Sequence, residues 1–288
     1  MESKILSLLP TDKNGTLIPI GDDCGELPWP ASSLLASTDM IMDGEHFISA
    51  LHSPEQIANK ALGVNISDVS AMAGTPKAVL LSMAIQRRST DFAPRFVLEF
   101  IRLCDQKGIV LLGGDTNFTD SPTTISVTIL ASPHICGSIR RDGARAGDRI
   151  FVTGKLGGSL ASNRHLNPPD RSKLAQQLAD TGLLTSMIDI SDGVASDLRH
   201  ILAQSQCGAE IFTSKIPLHE DVVDFAQALT DGEDFELLFT AQIPAGSTAI
   251  ENLGAIEIGV VTNSPNLFEL IYDNGKKEKC LWKGFEHQ

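Results

Sequence analysis

LLGGDTNFTD, residues 111–120, follows an apolar stretch that begins at Ile109, then offers two glycines and an aspartate. It predicts a buried strand that stops on residues without side chains and presents a carboxylate at its end. Open α/β sheets bind ligands at such places. On its own GGD is a weak signal, since a plain tight turn has the same composition.

Outward from this stretch the chain alternates strands and helices. On its N-terminal side Phe96, Val97, Phe100, Ile101 and Cys104 recur at helical spacing after Pro94, and residues 78–85 read as a buried strand. Residues 54–73 read as a helix, with Pro54 at its start and Gly74-Thr75-Pro76 as its stop, and residues 34–38 as a strand ending at STD. On the C-terminal side Ile125, Val127 and Ile129 alternate as one face of a strand. SPHICGSIRRDGARAGD, residues 132–148, carries turn residues and a basic cluster and predicts the connection between domains. Beyond it, residues 149–153 form a strand running into GKLGGS, and residues 187–190 a strand running into SDGVASDL. Val194, Leu198, Ile201 and Leu202 make the apolar stripe of a helix. The expected architecture is two α/β halves, 1–133 and 134–288, in keeping with a length of 288 residues.

Composition narrows the function. Lys and Arg number 23 against 36 Asp and Glu, a formal charge of −13, which argues against nucleic-acid or anionic-membrane partners. A phosphate substrate would then need positive charge from divalent cations held by some of those carboxylates. The five cysteines are scattered without a CxxC pair, so neither a zinc site nor a disulfide framework is expected. That usage suits a reducing, cytoplasmic setting. No signal peptide is expected from MESKILSLLP, and no apolar run reaches the ~18 residues of a membrane span.

The acids have a pattern. Asp22 and Asp23 stand in IGDDCGEL, Asp39 in STDMIMDGEHF, Asp68 in NISDVSAM, Asp115 in GGDTN, Asp189 and Asp192 in DISDGV, and Glu233 and Asp234 in DGEDFELLF. Any one alone is most often a helix cap or turn residue. Together, repelling carboxylates delivered at strand ends are costly unless cations neutralise them, and Mg²⁺ takes such hard oxygen ligands. In that reading Gly113 and Gly114 let the backbone approach a phosphate while Asp115 holds its cation. P-loop, GxGxxG and protein-kinase HRD and DFG motifs are absent: TGKLGGS has the wrong spacing.

GDDCGEL, STDMIMDGEHF, KALGVNISDVSAMAGTP, LLGGDTN, RDGARAGDRIFVTGKLGGS, MIDISDGVASDL and DGEDFELLFT resemble, in order and over nearly the whole chain to the terminal WKGFEH, the motif series of the thiamine-monophosphate kinase family. That family belongs to the aminoimidazole ribonucleotide synthetase superfamily. The resemblance implies a two-domain α/β (α+β) fold of that superfamily, with the N-terminal sheets forming a shared β-barrel across a homodimer. It implies ATP-dependent phosphorylation of thiamine phosphate with several Mg²⁺ ions, by direct in-line transfer needing no catalytic base. The residues matching its metal positions are Asp23, Ser37, Thr38, Asp39, Asp68, Asp115, Asp189 and Asp192. Gly114, Asp115, Arg141 and Ser191 match its ATP contacts, and His46, Glu233 and Phe285 its substrate contacts. A forked Arg141 suits phosphate oxygens and an aromatic face suits the thiamine cation, although Arg141 could be solvated loop charge and Phe285 or Trp282 could close the core. The chain departs from the family pattern at Asn117, Asp231 and Lys107, and is shorter from Leu160 to Leu178. Other expectations in view are a purine-intermediate or selenide enzyme of the superfamily, and a non-catalytic nucleotide-binding regulator. The latter would lose acids at the metal positions, and none is lost.

Overall fold

The computed structural model describes residues 25–29, 32–87, 91–265 and 267–284. Asp22, Asp23 and Phe285 lie outside the described residues.

The first half builds a sheet from β1 (Gly25–Trp29), β2 (Ser32–Met42), β3 (Thr75–Gln86), β4 (Val110–Thr119) and β5 (Thr124–Ser132), in the order β1-β2-β5-β3-β4. The β3–β4 pair is parallel and the rest antiparallel. Helices α1 (Pro54–Ala71) and α2 (Phe92–Lys107) cover one face of the sheet. Helix α1 begins where the sequence places it. Ser53 Oγ accepts from the Gln56 amide at 3.3 Å and Gln56 Oε1 accepts from the Ser53 amide at 2.9 Å, a reciprocal cap followed by Pro54. In α2, Phe92, Phe96 and Phe100 stack with ring centroids 5.8 Å apart, and Gly108 ends the helix in a left-handed conformation.

The second half builds a seven-stranded mixed sheet, β12-β11-β8-β10-β6-β9-β7, from β6 (Arg149–Val152), β7 (Leu184–Asp189), β8 (Gly208–Phe212), β9 (Leu237–Ala241), β10 (Ile256–Thr262), β11 (Phe268–Ile271) and β12 (Lys277–Lys279). Its helices are α3 (Ser172–Asp180), α4 (Val194–Ser205) and α5 (Phe225–Thr230). A shared cluster seals the halves: Ala71 and Ala73 pack with Phe151, Leu178, Met187 and Phe239.

Two strand ends differ from expectation. Strand β2 does not stop at STD but runs on to Met42, so Asp39 is mid-strand. Strand β4 does not stop at the glycines either. It continues through Gly113, Gly114 and Asp115 to Thr119 as an exposed edge strand. The glycines serve the pairing itself: the register slips by one residue between Val79/Leu111 and Leu80/Gly113, leaving Leu112 as a bulge. Gly113 takes φ +152°, and a Cβ at Gly114 would overlap the Leu81 carbonyl of the neighbouring strand. The glycines that suggested a phosphate-binding turn are therefore what allows two strands to approach across a bulge.

Candidate active site

Helix α1 links the two sheets through consecutive residues. Asp68 accepts a hydrogen bond from Ser37 Oγ of β2, and Ser67 Oγ donates to Asp189 Oδ2 at 2.6 Å, where β7 ends. Ser37 and Asp39 face the helices with Leu35 and Ile41, whose side chains are buried on the same side of the pleat. The structure thus brings Ser37, Asp39, Asp68 and Asp189 to one seam, with Asp189 buried.

Just past the seam, the loops after β7 and before β9 are laced together. Ile190 donates to the Glu236 carbonyl at 2.8 Å, Phe235 to the Ile190 carbonyl at 2.9 Å and Glu233 to the Ser191 carbonyl at 2.7 Å. Ser191 and Glu233, far apart in sequence, are therefore neighbours. Glu233 and Phe235 both take positive φ, 55° and 51°, an unusual concentration of left-handed backbone outside glycine. The Asp192 amide donates to Asp197 Oδ2 of α4 at 3.1 Å, which fixes the loop to the helix. Gly284 lies so close to the Asp192 carbonyl that a Cβ would overlap it, so the described chain ends against this loop. Arg141, half-buried, sits beside β7: the preceding Arg140 carbonyl accepts from the Met187 amide at 3.1 Å, two residues before Asp189.

Two expected site residues stand elsewhere. Thr38 points to the opposite, exposed face of the sheet, where it donates to the Val127 carbonyl at 3.1 Å and accepts from Thr128 at 3.0 Å. Asp115 pairs in register with exposed Ser82 on that same outer face. It is also three strands from Asp39, about 14 Å at the usual strand spacing. Thr38 and Asp115 therefore do not join Ser37, Asp39, Asp68 and Asp189 at the seam, and among the described residues no three His, Cys, Asp or Glu are grouped so that they could hold a metal ion. The donors at the seam are nonetheless carboxylates and hydroxyls, the hard oxygens that suit Mg²⁺.

The sequence reading overlooked Lys60. It is fully buried in α1, and its ammonium meets Glu233 Oε2 at 2.5 Å, His165 Nδ1 at 2.9 Å and the His46 carbonyl at 2.7 Å. Burial lowers the Lys60 pKa while Glu233 opposes the shift. Burial alone would raise the Glu233 carboxyl, but the His165 hydrogen bond and the Lys60 charge outweigh it and hold Glu233 below its ordinary value. A signal was available, because Lys60 occupies the helical stripe of Ile57, Ala61 and Val64, where a charge has no business without a partner.

GKLGGS is not an anion cradle. The amides of its glycine pair are taken: Gly157 donates to both oxygens of Asp234 at 3.1 and 2.9 Å, and Gly158 to Asp231 Oδ2 at 3.1 Å. Each of the three departures from the family pattern has a structural partner here. Asp231 ties this loop, Asn117 Nδ2 donates to Asp115 Oδ2 at 2.8 Å, and Lys107 pairs with Asp170 at 2.5 Å.

Burial pushes the Asp234 carboxyl up to about 7. Its unfolded value is near 3.9. As pH rises between these values the unfolded chain loses the proton first, so this group's contribution to stability is present below about pH 4 and lost by about pH 7. The expected slope is at most about 1.4 kcal/mol per pH unit. Asp234→Asn should flatten the decline in the urea midpoint between pH 5 and 7, and an identical profile in the variant would refute this assignment.

Residues 21–132 match the AIR synthase related protein, N-terminal domain, and residues 145–270 its C-terminal domain. The thiamine-monophosphate kinase of Rhodopirellula baltica is 34% identical over 295 residues, covering 94% of this chain and 91% of that protein. That of Escherichia coli K12 is 33% identical over 301 residues, covering 93% and 91%. The solved structure described as AaThiL complexed with AMPPCP and TMP has a TM-score of 0.80 at 29% identity over 93% of this chain and 92% of its own. The hydrogenase maturation protein HypE in complex with ATP has a TM-score of 0.74 at 18% identity over 99% of this chain and 95% of its own, a likeness of fold alone.

Proposed function

We propose, from the premise that this chain belongs to the AIR synthase related family and within it to the thiamine-monophosphate kinases, that it transfers the γ-phosphoryl group of ATP to thiamine phosphate, giving thiamine diphosphate and ADP. The observation that carries this reading is the seam: Ser37 to Asp68 and Ser67 to Asp189 join three of the family's motifs beside the paired Ser191 and Glu233 loops.

A phosphate oxygen of thiamine phosphate, already anionic at neutral pH, attacks the γ-phosphorus in line with the departing ADP oxygen. No general base is needed, and the problem to solve is repulsion between two polyanions. Asp23, Ser37, Asp39, Asp68, Asp189 and Asp192 are residues we assign to Mg²⁺, which when bound would offset that charge and align the reacting groups; Thr38 and Asp115, on the outer face of the sheet, are assigned to it by their place in the family's motifs alone. Arg141 can fork two phosphate oxygens beside β7, with Gly114, Asp115 and Ser191 as further nucleotide contacts. His46, Glu233 and Phe285 are assigned to thiamine phosphate.

A homodimer completes the proposal. The outer face of the first sheet exposes Met40 (56%), Met42 (37%) and Leu80 (40%), a surface suited to a second copy. Asp115 lies on that face, three strands from Asp39, so apposition of two sheets would place it at the interface between the copies. We place the protein in the cytoplasm: the described cysteines are all free, and among the described residues no helix is long and apolar enough to cross a membrane.

The test is purified protein with ATP, Mg²⁺ and a panel of thiamine, thiamine phosphate and purine intermediates, read by product mass. Thiamine diphosphate should form from thiamine phosphate alone, and EDTA should abolish it until Mg²⁺ is restored. Conversion of another acceptor, or full turnover under chelation, would overturn the reading.

A further inference from the structure

The Lys60 ammonium touches three separate segments: it donates to Glu233 Oε2 and to the His46 carbonyl, and lies 2.9 Å from His165 Nδ1. Glu233 belongs to the left-handed loop before β9, His165 to a turn of the second half, and the His46 carbonyl to the chain that follows β2. The turn is itself docked on α1, where Asn59 Nδ2 donates to the Leu166 carbonyl at 3.0 Å and Leu166 joins the core of the first half. Lys60 is thus a junction between the halves. Its partner's carboxylate is used unequally: Oε2 receives Lys60 and lies 3.1 Å from His165 Nδ1, whereas among the described residues no hydrogen bond reaches Oε1. The Lys60 side chain is 1% exposed and that of Glu233 20%, so the pair is buried at its lysine end and open at its carboxylate end.

A pin between domains would not require this asymmetry. A buried ion pair is weak support for stability, since apolar side chains of similar volume often do as well, but it fixes one carboxylate in place and keeps it charged. Resting on the function proposed above, we infer that Lys60 is a positioning residue for the thiamine-phosphate subsite. It holds Glu233 and the His46 segment in one frame and leaves Glu233 Oε1 to meet the cationic thiamine half of the substrate. The nucleotide side meets this frame only through the main chain, where the Glu233 amide donates to the Ser191 carbonyl, a bond that the Lys60 side chain does not make.

Steady-state kinetics of the full-length protein test the assignment. Lys60→Met keeps length and bulk but neither charge nor donors. The KM for thiamine phosphate should rise at least about tenfold while the KM for ATP changes less than about twofold. Glu233→Gln should show the same split, and the double variant should be no worse than the poorer single, because both changes break one frame. A purely structural lysine predicts otherwise: a lower melting temperature and lower kcat with both KM values unchanged, which would overturn the inference. Should Lys60→Met fail to fold, Lys60→Gln, which keeps a donor toward Glu233, carries the same measurement. Absence of turnover in the wild-type protein would refute the proposed function and this inference with it. Wild-type turnover with an unchanged KM in the variants would refute the inference alone.

Discussion

Asp115→Asn is expected to lower phosphoryl transfer by about three orders of magnitude while leaving the melting temperature of the ligand-free protein within about 2 °C. The first half of this expectation follows from its proposed place on Mg²⁺, where the substitution removes the charge and keeps the shape. The second follows from the structure. Asp115 is exposed on an edge strand, and its side chain accepts from Asn117 at 2.8 Å, a bond that an asparagine oxygen can also accept. A residue that only shaped the strand would give the opposite pair of results, an unstable protein with near-normal turnover at low temperature. Mixing protomers extends the test to the dimer. Asp115→Asn and Asp39→Asn chains should each be inactive alone, yet random exchange should restore about one quarter of wild-type activity if Asp115 completes the site of the partner subunit. No recovery would mean that Asp115 serves its own chain.

Gly114→Ala should be the most damaging single-methyl change in the first half. The added Cβ would overlap the Leu81 carbonyl, a backbone atom that cannot swing aside as a side chain can. Strands β3 and β4 would have to separate, so we expect a loss of at least about 3 kcal/mol and a melting temperature lower by about 6–12 °C. Gly113→Ala is the internal control. Its Cβ would meet open space, so only the strain of φ +152° is added and the loss should be about 1 kcal/mol. Equal, small effects at both positions would show that the strands are not in close contact at Gly114.

Helices and strands were legible wherever the signal is local. The α1 start was readable from Pro54, and its end, to within two residues, from Gly74-Thr75-Pro76, because capping and breaking act within one turn of the chain. The alternation of Ile125, Val127 and Ile129 revealed β5 for the same reason. Strand β4 was misread at its far end because a bulge belongs to a pair of strands. LLGGD viewed alone resembles a terminus, and only the register against Leu80 and Leu81 shows that it continues. Likewise GKLGGS has the composition of an anion loop, but Asp231 and Asp234, more than seventy residues away, have already taken the amides of its glycine pair.

The sequence by itself determined the alternation of elements, the family through its ordered acidic motifs, and the shortage of basic residues in a chain of formal charge −13. These are properties of residue type and short spacing. The tertiary structure alone decided which acids share a surface. Side chains on a strand alternate by one residue, so Ser37 and Asp39 turn toward α1 while Thr38 between them turns away, and Asp115 falls on the far face three strands over. It alone decided that Lys60 meets Glu233, 173 positions later, because burying a charge is tolerable only where folding brings a partner of opposite sign.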